Sequence, residues 1–180
     1  MLQMKTHYPD ATRVEPSNRH TLAIVVDNEP GVLARIAGLF SGRGYNIESL
    51  TVTETEHEAH VSRITIVTAG TNAVIEQIKS QLERLVPVHR VVDLTLSGEA
   101  IERELCLVKV VGTGDHRVEA LRLASAFGAR TLDATLTSFV FELTGTTEEV
   151  ERFLKLMTVV GLAEVSRTGI AAMGRGAEGL

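Results

Sequence analysis

Aromatic residues make up only 4% of this 180-residue chain, tryptophan is missing, and 18 lysines and arginines are outnumbered by 23 aspartates and glutamates. Nucleic-acid surfaces carry a basic face with aromatic stacking platforms. A net charge of -5 with so few rings argues against that partner. Cysteine occurs once, Cys106 in "ELCLVKVV", so no disulfide forms within the chain and the residue reads as a small buried hydrophobe in a reducing cytoplasm. Long apolar runs are also missing. The stretches Leu105–Val111 and Thr21–Val26 are strand-sized, far short of the ~20 residues that cross a bilayer, so no membrane span is expected. Residues 1–19 lack an apolar signal core and a transit-peptide composition; they read as a loose tail of a cytoplasmic protein. No Ser-His-Asp, Cys-His or paired-carboxylate grouping stands out, and no catalytic residue is assigned.

What is present is a soluble composition, 44% hydrophobic and 23% charged, able to fill one core or two small ones. The order of the segments favours two. "HTLAIVVD" is β-rich and stops at a Pro-Gly signal; Val32, Leu33, Ile36, Ala37, Leu39 and Phe40 then recur at helical spacing as far as "SGRG". "YNIESLTVTET" and "HVSRITIVTA" alternate as strands around the acidic "ETEHEAH". In "TNAVIEQIKSQLERL", Val74, Ile75, Ile78, Leu82 and Leu85 mark one helix face, and "VHRVVDLTL" closes the unit. This βαββαβ order predicts a four-stranded antiparallel sheet with both helices on one face, the ferredoxin-like arrangement.

After Ser97-Gly98-Glu99 the plan repeats: "ERELCLVKVVG", "DHRVEALRLASAFG", "ARTLDATLT", "SFVFELTG", "TTEEVERFLKLMTVV" and "LAEVSRTGI". The fold class is therefore α+β, two tandem βαββαβ units. The boundaries read as a tail at 1–19, a first unit at 20–96, a second at 97–172 and a tail at 173–180. Units this small bury only ~60% of their unfolded surface, so pairing of half with half or chain with chain is expected.

"DNEPG" sets a turn directly before an apolar helix. Pro30 suits the first helical turn, and the amides of Gly31, Val32 and Leu33 would then lack an acceptor inside the helix. Such an end attracts a carboxylate. The carboxamide of Asn28 can accept from an ammonium group and Leu33 can wall an aliphatic side chain, a set suited to a free amino acid. The same residues also make an ordinary capped strand-to-helix turn. A second carboxamide-plus-aliphatic pair, Asn46 and Ile47, follows the helix where the next strand begins.

"DNEPGVLARIAGLFSGRGYNIESLTV", followed by "SRITIV", "EQIKSQLERLV", "ELCLVKV" and "SRTG", resembles the regulatory (small) subunit of acetohydroxyacid synthase, also called acetolactate synthase. The resemblance runs from about His20 to Arg175 and Gly176. It implies that the first unit is an ACT domain, an amino-acid-sensing and dimerising module, and the second the family's own ferredoxin-like domain. It further implies a homodimer that activates a catalytic large subunit and confers feedback inhibition by valine, or another branched-chain amino acid, in branched-chain amino acid biosynthesis. Asn28, Gly31, Val32 and Leu33 of one chain would meet the effector with Asn46 and Ile47 of the other. Thiamine diphosphate, Mg2+ and FAD would belong to the catalytic partner, with no cofactor in this chain. A stand-alone ACT-type sensor without a synthase partner is the alternative.

Other candidates are weaker. His57 and His60 in the acidic hairpin, spaced by three along a strand, fall on opposite faces and suit a solvated tip better than a metal. "GTGDH" lacks the Lys-Ser/Thr ending of a phosphate loop; Asp115 is expected to cap the helix there. Arg35, Arg43 and Arg63 are candidates for contact with a partner subunit.

Overall fold

The structure, a computed structural model, describes residues 17–56, 60–96 and 100–180. Most of the amino-terminal tail, the hairpin tip with His57, and the Ser97-Gly98-Glu99 break lie outside the described residues. The first unit runs β1 (Asn18–Asp27), α1 (Val32–Gly42), β2 (Ser49–Glu56), β3 (Val61–Gly70), α2 (Asn72–Leu82) and β4 (Val88–Asp93). Its antiparallel sheet has the order β2-β3-β1-β4, the arrangement that two right-handed crossovers produce. Leu22, Ile24 and Val26 point to one face of β1, and Ile64 and Ile66 of β3 join them. Val32, Ile36 and Phe40 of α1 and Ile75, Ile78 and Leu82 of α2 close the core over that face. Side chains of this size contribute roughly 1.5–3 kcal/mol each on burial, so the helical periodicity read from the sequence is also the energetic basis of the unit.

The second unit repeats the order as β5 (Ile101–Val111), α3 (Gly114–Ala126), β6 (Arg130–Ala134), β7 (Ser138–Gly145), α4 (Thr147–Val159) and β8 (Leu162–Arg167). The strand order is β6-β7-β5-β8, with a short β9 (Ala171–Met173) pairing against the start of β5. Its core gathers Cys106, Val108, Val110, Phe139, Phe141 and Leu143 under Val150, Phe153 and Met157. The start of α4 is fixed by a capping box: Thr146 Oγ1 accepts from the Glu149 amide while the Glu149 carboxylate accepts from the Thr146 amide.

The structure departs from the sequence reading at several places, among them β8, which stops at Arg167 where the strand was read through Ile170, and β4, which stops at Asp93 where it was read through Leu96. β1 begins at Asn18 because Asn18 and Arg19 pair with Gly70 and Ala69, so the last two residues of the segment read as a tail are strand. At the other end Met173 pairs with Ile101, so the terminal segment read as starting at 173 contributes its first residue to β9. Asp115 does not cap α3. The cap position is Thr113 and the helix starts at Gly114, two residues earlier than a cap at Asp115 would set it, which leaves Asp115 in the first turn, where its charge still favours the amino end. Pro30 does not lie inside α1, for a reason that bears on the site.

The two units touch through a third cluster. Ala23, Val67 and Leu94, on the face of the first sheet away from its helices, are covered by Ile170 and Ala172. Arg63, a candidate for contact with another chain, is used here instead: its Nη2 donates to the carbonyl of Ala172 at 2.6 Å, and desolvation lowers its pKa.

Candidate functional site

Gly31 has φ 88 and ψ -3, and the Val32 amide donates to the Glu29 carbonyl at 3.3 Å. Glu29-Pro30-Gly31-Val32 is thus a type II turn, with proline at its second position and glycine at the third, where φ is positive. Proline stays outside the helix because a positive φ at the next residue ends the turn before α1 can begin. The turn takes up the Val32 amide. Among the described residues the amides of Gly31, Leu33 and Ala34 have no acceptor, so Ala34 takes the place that the sequence expectation gave to Val32 in the donor set at this helix start.

The loop leading into the turn is anchored on both sides. The Asp27 amide donates to the Pro87 carbonyl at 2.8 Å and the Asn28 amide to the His60 carbonyl at 2.6 Å. The Asp27 carboxylate is engaged with His89 Nε2 at 2.6 Å. Arg35 lies 3.3 Å from Glu29 across the turn. The carboxamide of Asn28 is exposed and makes no hydrogen bond among the described residues. Leu33 is 38% exposed, whereas Val32 is 7% exposed and packs into the first core. With its amide taken up by the turn and its side chain in the core, Val32 shapes the helix start from behind.

Asn46 and Ile47 occupy the other end of the sheet. Asn46 is exposed, its carbonyl accepts from Thr68 Oγ1 at 2.7 Å, and Ile47 packs half-buried against the first core. Thr68 pairs with His20 at the beginning of β1, while the Asn28 loop follows Asp27 at its end. Seven strand residues separate those levels, roughly 23 Å at a rise of ~3.3 Å per residue. One chain therefore does not bring the six residues together. Their two groups stand at opposite ends of a sheet whose β2 pairs only with β3 among the described residues.

Sequence reasoning missed the support beneath the second group. Glu48 donates its amide to the Val67 carbonyl at 2.8 Å and pairs with Arg19 at 3.1 Å. Ser49 and Thr51 hydrogen-bond residue 170. Their alternation marked them only as the polar face of a strand, with nothing local to name a partner more than a hundred residues away. Between the units lies a cavity of about 630 Å³ lined by Arg19, Glu48, Glu104, Glu151, Arg167 and Ile170 among others. Arg167 is held bidentately by buried Glu104, at 2.5 and 3.1 Å, and by Glu151 at 2.5 Å. Hydrogen bonding to Glu104 is the main cause that raises its pKa. Two arginines face three glutamates in this cavity, and no cluster of metal-ligating side chains occurs among the described residues.

Two family descriptions match the chain, an "AHAS small subunit-like ACT domain" over residues 22–90 and "Small subunit of acetolactate synthase" over residues 103–176. A probable acetolactate synthase small subunit of Archaeoglobus fulgidus is 46% identical over 158 residues, covering 88% of this chain and 98% of that protein. The small subunit of acetolactate synthase isozyme 3 from Salmonella typhimurium is 43% identical over 159 residues, covering 88% and 96%. The crystal structure of the acetolactate synthase small subunit from Thermotoga maritima superposes with a TM-score of 0.81 at 36% identity, covering 89% of this chain and 99% of that one. The chain belongs to the acetolactate synthase small-subunit family. It is a regulatory, non-catalytic subunit in branched-chain amino acid biosynthesis. The first unit of this small subunit is an ACT domain, and the two-unit α+β plan read from the sequence agrees with both matches. Among the described residues no helix is long and apolar enough to cross a membrane.

Proposed function

We propose that this small subunit works as a homodimer that binds valine, or a related branched-chain amino acid, at two equivalent seams and passes its occupancy to a catalytic large subunit, activating it when empty and inhibiting it when filled. The observation that carries this reading is the separation of Asn28–Leu33 from Asn46–Ile47 along one sheet. β2 runs parallel to β1, since both are antiparallel to β3. If two copies join antiparallel through their β2 edges, each copy's Asn46 comes to the level of the other's Asn28. A two-fold axis then completes two sites at once.

The chemistry of the joined site suits a zwitterion. Amides at the start of α1 receive the carboxylate, helped by the partial positive charge of the helix end. The carboxamides of Asn28 and of the partner's Asn46 accept from the ammonium group, and Leu33 and Ile47 flank an aliphatic side chain. Because the ligand touches both chains, its binding favours one arrangement of the pair over another, which is what allosteric control requires. Thiamine diphosphate, Mg2+ and FAD are assigned to the catalytic chain, in a cytoplasmic complex.

The test is isothermal titration of the purified chain with L-valine, with D-valine and glycine as controls, followed by reconstitution with the large subunit. Saturable, stereospecific binding near one valine per chain that is lost in Asn28→Ala is expected. Absence of heat together with an unchanged melting temperature in saturating valine would overturn the effector assignment. Failure to recover or activate any large subunit would favour a stand-alone sensor.

A further inference from the structure

Thr168 and Ile170 are two residues apart and are held by different units. The Thr168 amide donates to the Leu105 carbonyl at 3.1 Å and the Leu105 amide donates to Thr168 Oγ1 at 3.1 Å, both on β5. The Ile170 amide donates to Ser49 Oγ at 3.0 Å, and the Ile170 carbonyl accepts from Thr51 Oγ1 at 3.0 Å, both on β2. Gly169 between them has φ +81. A β-carbon added there would stand 2.6 Å from Ser49 Oγ and 3.1 Å from Thr51 Oγ1. Only glycine lets the chain lie this close to β2 in that conformation.

Ser49 also lies two residues from Ile47 and three from Asn46, the half of the effector site that opens β2. We propose that the crossing at Thr168–Ile170 is the element that carries effector occupancy into the C-terminal unit, with Ser49, Thr51 and Gly169 as positioning residues for the feedback response. The inference rests on the effector-site reading above.

A displacement at Asn46–Ile47 has few places to be absorbed. The Glu48 amide is bonded to β3, and from Ser49 to Glu54 the register of β2 on β3 is unbroken. The Ser49 hydroxyl is bonded to Ile170, and the contact at Gly169 is closed. On the far side Thr168 is fixed to β5 and Arg167 is gripped by Glu104 and Glu151. Ile170 and Ala172 are 2% and 7% exposed, packed with Ala23, Val67 and Leu94. Packed contacts of this density transmit a shift instead of damping it, and the chain of contacts is continuous from the ligand groups to the second unit. The same strand, which pairs only with β3 among the described residues, presents the edge through which a second copy would join, so one element meets ligand, partner copy and C-terminal unit.

The experiment uses the full chain with its large subunit and compares Ser49→Ala, Thr51→Val and the double variant with the conservative Ser49→Thr and Thr51→Ser. Valine affinity is measured by calorimetry on the small subunit, and the valine concentration giving half-inhibition on the reconstituted synthase. In the double variant the calorimetric dissociation constant is expected to stay within about twofold while half-inhibition moves by about fivefold or more, the low end of ordinary allosteric couplings. Thr51→Ser keeps the parent response. Gly169→Ala should behave like the double variant where it folds, and the hydroxyl variants decide the matter where it does not. Unchanged half-inhibition in the double variant, or equal losses of binding and inhibition, would overturn the coupling while leaving the effector site standing. A parent chain that binds no valine overturns the effector site first and the coupling with it.

Discussion

Nδ1 of His20 stands 2.7 Å from Oδ2 of Asp93, and both side chains are 2% exposed. The pair ties the start of β1 to the end of β4, and the other oxygen of Asp93 accepts from the Thr95 amide at 2.9 Å. Thr95 Oγ1 in turn accepts from the Thr21 amide at 2.9 Å. His20 Nε2 is buried without a partner, so the imidazole depends on Asp93 for its only polar contact among the described residues. Asp93→Ala is therefore expected to cost about 3 kcal/mol, because it orphans a buried ring and a backbone amide together. Asp93→Asn, which keeps an acceptor, should cost about 1 kcal/mol less. Urea denaturation of the two variants checks the order, and equal stability of Asp93→Ala and the parent would remove the pair from the list of structural determinants.

Such pairs explain what the sequence could and could not show. The apolar positions Val32, Ile36 and Phe40, and Ile75, Ile78 and Leu82, carried their period openly because each helix meets its own neighbouring sheet. The segment "TTEEVERFLKLMTVV" was readable as a helix, and the capping box of Thr146 and Glu149 that fixes its start is a structural finding. Residues 168–173 were not readable as a strap. Their partners Ser49, Thr51, Arg63 and Ile101 belong to distant segments, and a three-residue β9 has no periodicity of its own. The proposed site shows the same division. Each of its groups was visible as a local polar-then-apolar pattern, but that they lie at opposite ends of one sheet follows from strand order, which no local pattern records.

Gly31 offers a test that separates charge from strain. Its positive φ disfavours any side chain, yet nothing lies within 4 Å of an added β-carbon. Asparagine and aspartate visit that conformation with comparable ease, so Gly31→Asn and Gly31→Asp should share a stability loss of about 1 kcal/mol. Only the aspartate repels a ligand carboxylate at the amides of α1. Half-inhibition by valine is expected to rise about tenfold or more in Gly31→Asp, ~1.4 kcal/mol, and to stay near the parent value in Gly31→Asn, while both variants still activate the large subunit. Equal loss in both would place the effect in the backbone.

Cys106 supplies a pH dependence with a definite sign. Burial pushes its thiol up to about 11, with Glu104 and Glu151 adding to the rise and Arg167 opposing it. In the unfolded chain the thiol ionises near 8.5. Between those values the folded state holds a proton that the unfolded state has released, so this contribution to stability is complete below about pH 8.5 and is lost as pH rises toward about 11. Urea midpoints measured from pH 8 to pH 10.5 should fall more steeply for the parent than for Cys106→Ala. Alkylation by iodoacetamide at pH 8 should be slow in the native chain and fast in urea. A rapid native reaction would contradict the burial.

Removing residues 97–180 uncovers Ala23, Val67 and Leu94 and leaves Arg63 without the Ala172 carbonyl. The first core does not depend on those contacts, so the shortened chain should keep its far-ultraviolet circular dichroism. It should bind a hydrophobic dye that the full chain excludes, and melt at a lower temperature. In reconstitution it is expected to retain activation and to be poorly inhibited by valine, since the strap is gone. Full valine sensitivity in this fragment would contradict any role for the C-terminal unit in feedback.

The outer edge of β2, the last strand in the order of the first sheet, decides whether the effector site is shared between chains. Val52 lies near the middle of that strand and is 43% exposed, so a glutamate there can point to solvent without disturbing the first core. In an isologous pairing the substitution enters twice near the axis, and two carboxylates brought together oppose association from both sides. Val52→Glu is expected to convert dimer to monomer at micromolar concentration in sedimentation analysis, with a lower melting temperature because association no longer stabilises the folded chain, and with its far-ultraviolet circular dichroism unchanged. Valine binding should disappear with the dimer although Asn28, Gly31, Asn46 and Ile47 are all intact, because the two groups are roughly 23 Å apart in one chain. A monomer that still binds valine saturably would show that one group suffices. A persistent dimer would move the seam away from β2, and with it the argument that strand order alone separates the halves of the site.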